Sequence, residues 1–479
     1  MKFLQFYVDS EVINTFLETS LREVIPGLEV ETGQGLDAYG KDEGYARMGK
    51  DLRPDIVVKP RSTIEVSKIL KFAFENNIPV TPWGAGTSLE GQSLAFLGGI
   101  TIDLRGLNKI RRILINDFQV EVEVGVLQQD LDKKLREIGV FFPPNPGAPA
   151  TIGGMISNNS SGSRAVKYGV TRDYVRQLEV VLADGTITRL GTRATKTSSG
   201  YDLLDVVVGS EGTLCIITAA VLKVIPTPSD STGIVFQFKS VEDASRFVQP
   251  CLGSGYLPST IELLDERVVA VLSANSPLPN VVGAILLIEC DGNDPVFVEK
   301  EIQGITDLAH SLGGSQIHID QNEFKQVMKA RKVIGWGIVR SSGMKTLKLL
   351  DIAVPLSVFG STVVGVYKIL DEENLSGYVF GHAGDCNLHV LIASDSRNEE
   401  IWEKTLRAEM NIVKLAIDAE GTITGEHGIG ASKTHFLRLE HGAAVDLMRA
   451  VKIAFDPKGI LNSGKVLPPI SIQEGVEKK

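Results

Sequence analysis

The sequence predicts an α+β protein that is divided into two or three domains. With 479 residues, the chain is too long for one compact core. Strand patterns, such as the strict Val/Glu alternation at 120–124, are interspersed with helical patterns along the chain. The motif Pro226-Thr227-Pro228 marks a domain boundary, and residues 229–420 have the pattern of a second α+β domain.

In the first half, residues 1–53 predict a helix followed by a connection. Ser62 and Glu65 form a capping box before a helix that Asn77 ends, with the apolar stripe Val66, Ile69, Leu70, Ala73 and Phe74. Strands are predicted at 78–82, 100–104 and 120–124, then a helix with the stripe Leu127, Leu131, Leu135 and Ile138. A hairpin over 178–190 turns at Asp184-Gly185.

In the second half, the pattern predicts a strand at 285–289 and three helices, at 296–311, 324–339 and 401–419. The tail 421–466 contains the segment Gly425-Glu426-His427-Gly428.

Composition excludes several classes of function. A net charge of −10 argues against a nucleic-acid partner, which requires a basic surface. The apolar run 281–290 is interrupted by Glu289 and is too short to cross a bilayer. The N-terminal sequence resembles neither a signal nor a transit peptide, and the four cysteines lack CxxC spacing. We therefore expect a cytoplasmic protein, associated with a membrane only through a partner.

Two glycine-rich segments suggest a binding site for a phosphate-bearing ligand. The segment 84–91 follows a predicted strand, but Leu89 replaces the third glycine of a dinucleotide fingerprint and no Walker A loop occurs. Its backbone N–H groups suit a phosphate nest, with a tight surface turn as the alternative. The segment 151–162 combines Gly, Ser and Asn with the apolar anchors Ile152, Met155 and Ile156. It suits a loop against a flat polar ligand, and an ordered structural loop is the alternative.

Three of the seven histidines lie in two short segments, 381–389 and 425–428. His382 and His389 can converge only if the intervening Gly384-Asp385-Cys386-Asn387 folds as a turn, and these are turn residues. Together with Glu426 they form a ligand set for a borderline metal such as zinc. Two unrelated polar side chains are the alternative, and by themselves the segments would equally suit a metal hydrolase.

These motifs together resemble a known family. Segments 82–91, 153–162 and 209–214, followed by the two histidine segments, resemble the vanillyl-alcohol-oxidase (PCMH) type of FAD-binding oxidoreductase. Within it, the match is to the D-lactate dehydrogenase, glycolate oxidase catalytic subunit and D-2-hydroxyglutarate dehydrogenase branch. The resemblance implies four regions: a helical extension at 1–53, a two-subdomain FAD-binding domain at 54–226, an α+β substrate domain with an antiparallel sheet at 227–420, and a C-terminal segment at 421–479 that returns to the FAD domain.

The resemblance also implies site residues. The implied FAD-binding residues are Pro82, Gly84, Ala85, Gly86, Thr87, Ser88, Gly91, Pro146, Gly147, Thr151, Gly153, Gly154, Asn158, Ser161, Gly162, Glu211, Gly212, Ile216 and Asn462. His382, His389 and Glu426 are implied to hold the metal, His427 to act as general base, and Arg331 to bind a substrate carboxylate. The alternatives are a solvated loop histidine at 427 and an exposed helix charge at 331. Asp385 is a candidate for orienting a histidine ring.

The FAD is expected to be non-covalent because no histidine precedes His310 and because Cys215 lies in an apolar strand. Two positions differ from the family pattern. Cys386 replaces a glycine of the turn and brings a thiol near the metal. Leu391 replaces an asparagine that serves a distal carboxylate in the hydroxyglutarate branch, which favours a short monocarboxylate.

The function expected is FAD- and metal-dependent oxidation of a small D-2-hydroxy acid, D-lactate or glycolate, to the 2-oxo acid. The alternatives are D-2-hydroxyglutarate oxidation, a redox-neutral flavin transferase, and an electron-transfer subunit. Electrons would leave to an external acceptor: an electron-transfer flavoprotein, a quinone, a cytochrome or an iron–sulfur subunit. A homodimer or membership of a complex is expected.

Overall fold

The computed structural model describes residues 10–42, 52–274, 276–279, 281–342 and 346–469. Predictions for residues 1–9, 43–51 and 470–479 lie outside the described residues.

Among the described residues, the first half contains two main sheets and the two-stranded sheet of Val140–Phe141 and Ile225–Pro226, with helices packed on them. Its helices are α1 (Ser10–Val24), α2 (Thr63–Asn76), α3 (Gln128–Arg136), α4 (Ile152–Asn158), α5 (Ala165–Tyr168) and α6 (Leu203–Val207). Its strands are β1 (Glu29–Glu31), β2 (Ile56–Lys59), β3 (Val80–Trp83), β4 (Ile100–Asp103), β5 (Ile110–Leu114), β6 (Gln119–Glu123), β7 (Val140–Phe141), β8 (Val175–Val181), β9 (Ile187–Gly191), β10 (Ile216–Lys223) and β11 (Ile225–Pro226).

The two main sheets of this half have different topologies. One has the order β1-β2-β4-β3, with β4 parallel to both β2 and β3 and with β1 antiparallel to β2. The other is antiparallel, with the order β5-β6-β10-β8-β9. Val80, Ile100, Val122 and Ile216 belong to one buried cluster that the two sheets share. This is the two-subdomain arrangement that the sequence predicted.

The second half is built on one larger sheet. Its strands are β12 (Asp230–Phe238), β13 (Thr260–Leu264), β14 (Ala284–Gly292), β15 (Ser315–Ile317), β16 (Thr346–Ala353), β17 (Gly377–His382) and β18 (Asn387–Ser394). Its helices are α7 (Val241–Gly253), α8 (Glu266–Ser273), α9 (Pro295–Ser311), α10 (Gln321–Lys332), α11 (Ile334–Ser342), α12 (Phe359–Glu372) and α13 (Glu399–Asp418). The sheet order is β15-β12-β14-β13-β17-β18-β16, and its neighbouring strands are antiparallel, as predicted.

The C-terminal segment adds α14 (Leu437–His441) and α15 (Ala444–Phe455) and then returns to the first half. The N–H of Val80 in β3 donates to the carbonyl of Ile460, and the N–H of Asn462 donates back to the carbonyl of Val80, each at 2.8 Å. The predicted return to the FAD-binding domain is thereby confirmed.

Local predictions were largely correct. Ser62 caps α2 by accepting from the N–H of Glu65, although the Glu65 carboxylate accepts from Arg61 instead of Ser62. The predicted helix at 324–339 is wrong as one element because it breaks at Val333 into α10 and α11. Likewise, α3 ends at Arg136, so Ile138 lies beyond it and is exposed.

The prediction of a loop over residues 151–162 is wrong for the first part of this segment, which forms α4. Thr151 caps this helix by accepting from the N–H of Gly154. Ile152, Met155 and Ile156 are buried along one face of it. Their i, i+3, i+4 spacing was a helix signal that the Gly- and Asn-rich composition obscured.

Among the helices that the structure describes, none is both long and apolar enough to cross a bilayer.

Candidate active site

A cavity of about 510 Å³ lies between the two halves of the chain. One wall consists of the loop after β3, the segment 145–151 and α4, and the other of α10, β16, β17, β18 and residues 426–427. The predicted cofactor residues that line it are Pro82, Gly84, Ala85, Gly86, Thr87, Ser88, Pro146, Gly147, Thr151, Gly153, Gly154, Asn158, Gly162, Glu211, Gly212, Ile216 and Asn462.

Two of the predicted cofactor residues lie elsewhere. The N–H of Gly91 donates to the carboxylate of Asp42 at 2.8 Å. The hydroxyl of Ser161 donates to Oε2 of Glu426 at 2.7 Å, so Ser161 contacts the predicted metal ligand.

The first wall is lined mainly by backbone and small side chains. A Cβ at Gly84 would lie 2.6 Å from Oγ1 of Thr151, so glycine is required for the β3 loop to approach the start of α4. This close approach leaves a cleft walled by peptide groups, which suits a flat, phosphate-bearing cofactor such as FAD.

Residues of the first half also hold the C-terminal loop at 426–430. Oε1 and Oε2 of Glu211 accept from the N–H groups of Ile429 and Gly430 at 2.7 and 2.8 Å. Gln92 donates to the carbonyl of His427, and Asn158 donates to the carbonyl of Glu426, each at 2.6 Å. Hydrogen bonds therefore join the first wall of the cavity to the second histidine segment.

The two histidines of the first segment converge, as predicted. Residues 383–385 form one turn of 3-10 helix, and Cys386 adopts the left-handed conformation with φ 61°. This turn joins β17 to β18, in which Phe380 pairs with His389, so His382 and His389 project from the same face of the sheet. Their ring centroids lie 5.3 Å apart.

Glu426 completes a set of three metal-ligand candidates. Its Oε1 lies 3.2 Å from Nε2 of His382 and 3.5 Å from Nε2 of His389. One ligand atom from each of the three residues lies within 4.8 Å of the others. Two imidazoles and a carboxylate are a ligand set of catalytic zinc sites, which keep a further position open.

The charges around these residues also suit a cation. Burial by itself lowers the pKa of His382, but the Glu262 and Glu426 carboxylates raise it to about 10. Burial by itself raises the pKa of Glu426, and the two imidazoles hold it well below its usual range. The buried carboxylates thus require positive charge beside them. A divalent cation would supply this positive charge, as protons on the imidazole rings do, so the residues fit a metal.

His427 lies beside this set. Its ring stacks on that of His389, with centroids 5.1 Å apart and 2° between the planes. Its Nδ1 lies 3.8 Å from Oδ2 of Asp351 and has no hydrogen-bond partner among the described residues. Burial lowers the pKa of His427, against the raising effect of Asp351. The lowered pKa favours the unprotonated imidazole, which can accept a proton, and with 11% of its side chain exposed His427 is not a solvated loop histidine.

Arg331 is also buried, so it is not an exposed helix charge. It lies in the last turn of α10 and lines the cavity. Its Nε lies 2.5 Å from Oε2 of Glu262, and its guanidinium carbon lies 5.5 Å from the centre of the Phe380 ring. Both Nε and Nη2 are buried without a hydrogen bond in the described part of the chain, so Nε meets Glu262 as an ion pair. A guanidinium that lines the cavity with unsatisfied donors fits a negatively charged ligand.

Two buried carboxylates, Glu262 and Asp351, were not assigned a role from the sequence. Oε1 of Glu262 lies 2.5 Å from Nδ1 of His382, and Oδ1 of Asp351 lies 3.3 Å from Nδ1 of His389. The sequence contains a signal that each has a buried partner, because each is a charged residue within a largely apolar strand. Glu262 lies in Thr260–Leu264, and Asp351 lies in Thr346–Ala353.

Asp385 was the candidate for orienting a histidine ring, and its Oδ1 has no hydrogen-bond partner in the described residues. Glu262 and Asp351 lie beside the two ring nitrogens instead. Cys386 is buried, and burial raises the pKa of its thiol to about 12. It is therefore an un-ionised thiol with low reactivity.

Comparison with known proteins identifies the family. The model of the FAD-linked oxidase C-terminal domain matches residues 227–466, and that of an FAD-binding domain matches residues 54–191. The chain belongs to the FAD-linked oxidase family. It is an FAD-dependent oxidoreductase similar to D-lactate dehydrogenases, so the resemblance found in the sequence is confirmed.

Alignments with curated relatives cover most of the chain. It is 37% identical over 420 residues to the glycolate oxidase subunit GlcD of Bacillus subtilis, covering 86% of this chain and 89% of that protein. It is 36% identical over 419 residues to the mitochondrial D-lactate dehydrogenase [cytochrome] of Arabidopsis thaliana, covering 87% and 74%.

A solved structure shows the same fold. The 4-ethylphenol oxidase from Gulosibacter chungangensis superimposes with a TM-score of 0.75 at 16% identity, covering 96% of this chain and 98% of that one. At this identity the likeness shows the fold alone.

Proposed function

We propose that this FAD-linked oxidase oxidises a small D-2-hydroxy acid, D-lactate or glycolate, to the 2-oxo acid with the help of a divalent metal. The observation that carries the proposal is the shared cavity. The FAD loops form one wall, and the other wall presents His382, His389, Glu426, His427 and Arg331. The names of the two curated relatives support the same substrate class.

His382, His389 and Glu426 would hold the metal, for which we propose zinc. When bound, the metal supplies Lewis-acid stabilisation of negative charge on the substrate oxygen, and FAD supplies a hydride acceptor. The Arg331 guanidinium, which lines the cavity and has unsatisfied donors, binds the substrate carboxylate through a charge-assisted hydrogen bond. This contact orients the substrate with its 2-hydroxyl towards the histidines.

His427 acts as the general base for the hydroxyl proton. A proton on Nδ1, which faces Asp351, leaves the Nε2 lone pair as the acceptor. The lowered pKa keeps this imidazole unprotonated before the reaction, and the nearby Asp351 carboxylate stabilises it once it is charged.

The cavity wall supports a monocarboxylate over D-2-hydroxyglutarate. Leu391 lines the cavity next to Leu349, with which it is paired in the sheet, and next to Phe380. A second carboxylate placed against Leu391 would meet no hydrogen-bond donor from these apolar side chains, at a cost of several kcal/mol. Lys348, a conceivable partner on β16, instead pairs with Glu409 at 2.8 Å.

The two other candidate functions have less support. A redox-neutral transferase is supported by the fold alone, and oxidases of this type have the same fold. An electron-transfer subunit without its own substrate would not need a histidine–carboxylate set in the flavin cavity. Neither has a specific observation in its favour.

The test is anaerobic reduction of the bound flavin by a panel of D- and L-2-hydroxy acids, with the metal content measured on the same sample. D-lactate or glycolate should bleach the flavin. Chelator treatment should abolish this, and so should His427→Ala. If no hydroxy acid bleaches a flavin- and metal-loaded sample, the proposed function is wrong.

We further propose an external electron acceptor, consistent with relatives that are named as an oxidase subunit and as a cytochrome-linked dehydrogenase. An electron-transfer flavoprotein, a quinone, a cytochrome or an iron–sulfur subunit would serve, within a homodimer or a larger complex. The thiols of Cys215, Cys251, Cys290 and Cys386 are buried and unpaired. They suit a reducing compartment, for which we propose the cytoplasm.

A further inference from the structure

We propose that Glu262 is a positioning residue that fixes the substrate-binding arginine and a metal-binding histidine in one arrangement. The inference rests on the proposed function and deepens it. It assigns to one carboxylate the task of placing the substrate relative to the metal.

The position of Glu262 follows from the pairing of two strands. Glu262 in β13 lies directly opposite His382 in β17, and its side chain is fully buried. Oε1 lies 2.5 Å from Nδ1 of His382, and Oε2 lies 2.5 Å from Nε of Arg331. A single carboxylate therefore bridges a residue of the sheet and a residue of α10.

The first contact determines which nitrogen of His382 can bind a metal. A carboxylate at Nδ1 holds a proton there and leaves the lone pair on Nε2, the nitrogen that lies 3.2 Å from Glu426. The same contact limits rotation of the ring. Removing such a partner commonly lowers metal affinity by about 10- to 100-fold.

The second contact determines where the guanidinium lies. Arg331 is held through Nε on one edge, and the Phe380 ring lies against it. The rest of the guanidinium is thereby left for the cavity that Arg331 lines. Because both contacts come from the same carboxylate, the substrate carboxylate and the metal ligand are held in a fixed relation to each other.

Glutamate is the residue that this geometry requires. Both oxygens face nitrogen donors, so the amide of glutamine would turn an N–H group towards one of them. Aspartate is one methylene shorter and could not reach both partners from β13 without moving the strand.

The experiment uses the full-length, FAD-loaded protein with Glu262→Gln, Arg331→Met and the double variant. Mn²⁺ affinity is measured by electron paramagnetic resonance. Affinity for oxalate, an unreactive carboxylate probe, is measured at saturating Mn²⁺ for each variant from the change in the flavin spectrum. Glu409→Gln is the matched control, because Glu409 is also buried and ion-paired, with Lys348, but does not line the cavity.

A bridging role predicts a specific pattern. Glu262→Gln should weaken both Mn²⁺ and oxalate by at least about 10-fold. Arg331→Met should weaken oxalate with little change in Mn²⁺ affinity. The double variant should match Arg331→Met for oxalate and Glu262→Gln for Mn²⁺, because the oxalate effect of Glu262 acts through Arg331. Glu409→Gln should change neither affinity.

Other outcomes overturn the proposal. The proposal is wrong if Glu262→Gln binds both probes with wild-type affinity. It is also wrong if the fold losses in oxalate affinity of the two single variants multiply in the double variant, because this indicates a general structural effect. If Glu262→Gln does not fold because it leaves a buried guanidinium charge unpaired, the double variant removes that charge. The Mn²⁺ affinity of the double variant, compared with that of Arg331→Met, then tests the role of Glu262 at His382.

These probes need no turnover, so the two proposals can fail separately. If no hydroxy acid reduces the wild-type flavin while the predicted pattern holds for Mn²⁺ and oxalate, the proposed function is wrong and the bridge stands. If D-lactate reduces the wild-type flavin but Glu262→Gln binds both probes normally, the bridge is wrong and the function stands.

Discussion

Oδ2 of Asp351 accepts a hydrogen bond from the backbone N–H of His427 at 2.8 Å. The same oxygen accepts from the N–H of Glu426 at 2.8 Å and from the hydroxyl of Thr424 at 2.9 Å. The carboxylate of Asp351 thus holds the backbone of a predicted metal ligand and of the predicted base. It is fully buried, and although burial by itself raises its pKa, the neighbouring imidazoles hold the pKa well below its usual range.

Asp351→Asn should therefore reduce the rate of flavin reduction more than it reduces FAD content. An amide would turn N–H groups towards the donors of the 424–427 loop or towards Asn387, and the loop would shift. We expect a loss of about 10- to 100-fold in the single-turnover rate. Thr424→Val is the graded control, since it removes one of the three donors to Oδ2 and should cost less. An unchanged rate in Asp351→Asn would contradict this role.

Leu391→Asn should move the substrate preference towards D-2-hydroxyglutarate. An amide at this wall can donate to a distal carboxylate, which the apolar wall leaves unpaired, and a hydrogen bond to a charged group contributes about 1.5–3 kcal/mol. The ratio of kcat/KM for D-2-hydroxyglutarate to that for D-lactate should rise at least about 10-fold. Leu391→Met conserves volume and should leave the ratio unchanged. A wild-type enzyme that already prefers D-2-hydroxyglutarate would show that Leu391 does not exclude it.

The FAD should be released by acid. The thiol of Cys215 lines the cavity, but burial raises its pKa to about 12, so it is a poor nucleophile for a thioether link. The histidines of the chain begin at His310, beyond the predicted FAD-binding residues from Pro82 to Ile216. Precipitation with trichloroacetic acid should leave a colourless pellet and a yellow supernatant. A pellet that stays yellow after washing would disprove the prediction.

Asp265 should make stability depend on pH below neutrality. This residue caps α8, and its carboxylate accepts from the N–H groups of Val268 and Val379 at 2.7 and 2.6 Å. Burial raises its pKa from 3.8 to about 6 despite these bonds. The folded state therefore keeps its proton at a pH where the unfolded state has lost it. This stabilisation is present below about pH 4 and is lost as the pH rises through about 6.

Compared with Asp265→Asn, which cannot titrate, the wild type should lose up to roughly 3 kcal/mol of relative stability between pH 4 and pH 7. The measurement is the difference in Tm between the two proteins across this range, which cancels the contribution of other carboxylates. A difference that is constant with pH would contradict the raised pKa.

Elements whose cause is local can be predicted from the sequence. Ser62 and the apolar stripe behind it define α2, and the alternation at 120–124 defines β6. The turn residues between His382 and His389 determined that these two rings converge. Each of these features depends on backbone preferences and on the periodicity of neighbouring residues, both of which can be read along a single strand or helix.

The contacts of the site residues, in contrast, depend on how distant segments of the chain pack together. Glu262 lies 120 residues from His382, and Asp351 lies 76 residues from His427. Their contacts exist because β13 pairs with β17, and because the loop after α13 passes beside β16. A charged residue within an apolar strand indicates that a partner must exist, since an unpaired buried charge is costly. Its identity depends on which strands lie side by side, and that is determined by packing between segments distant in sequence.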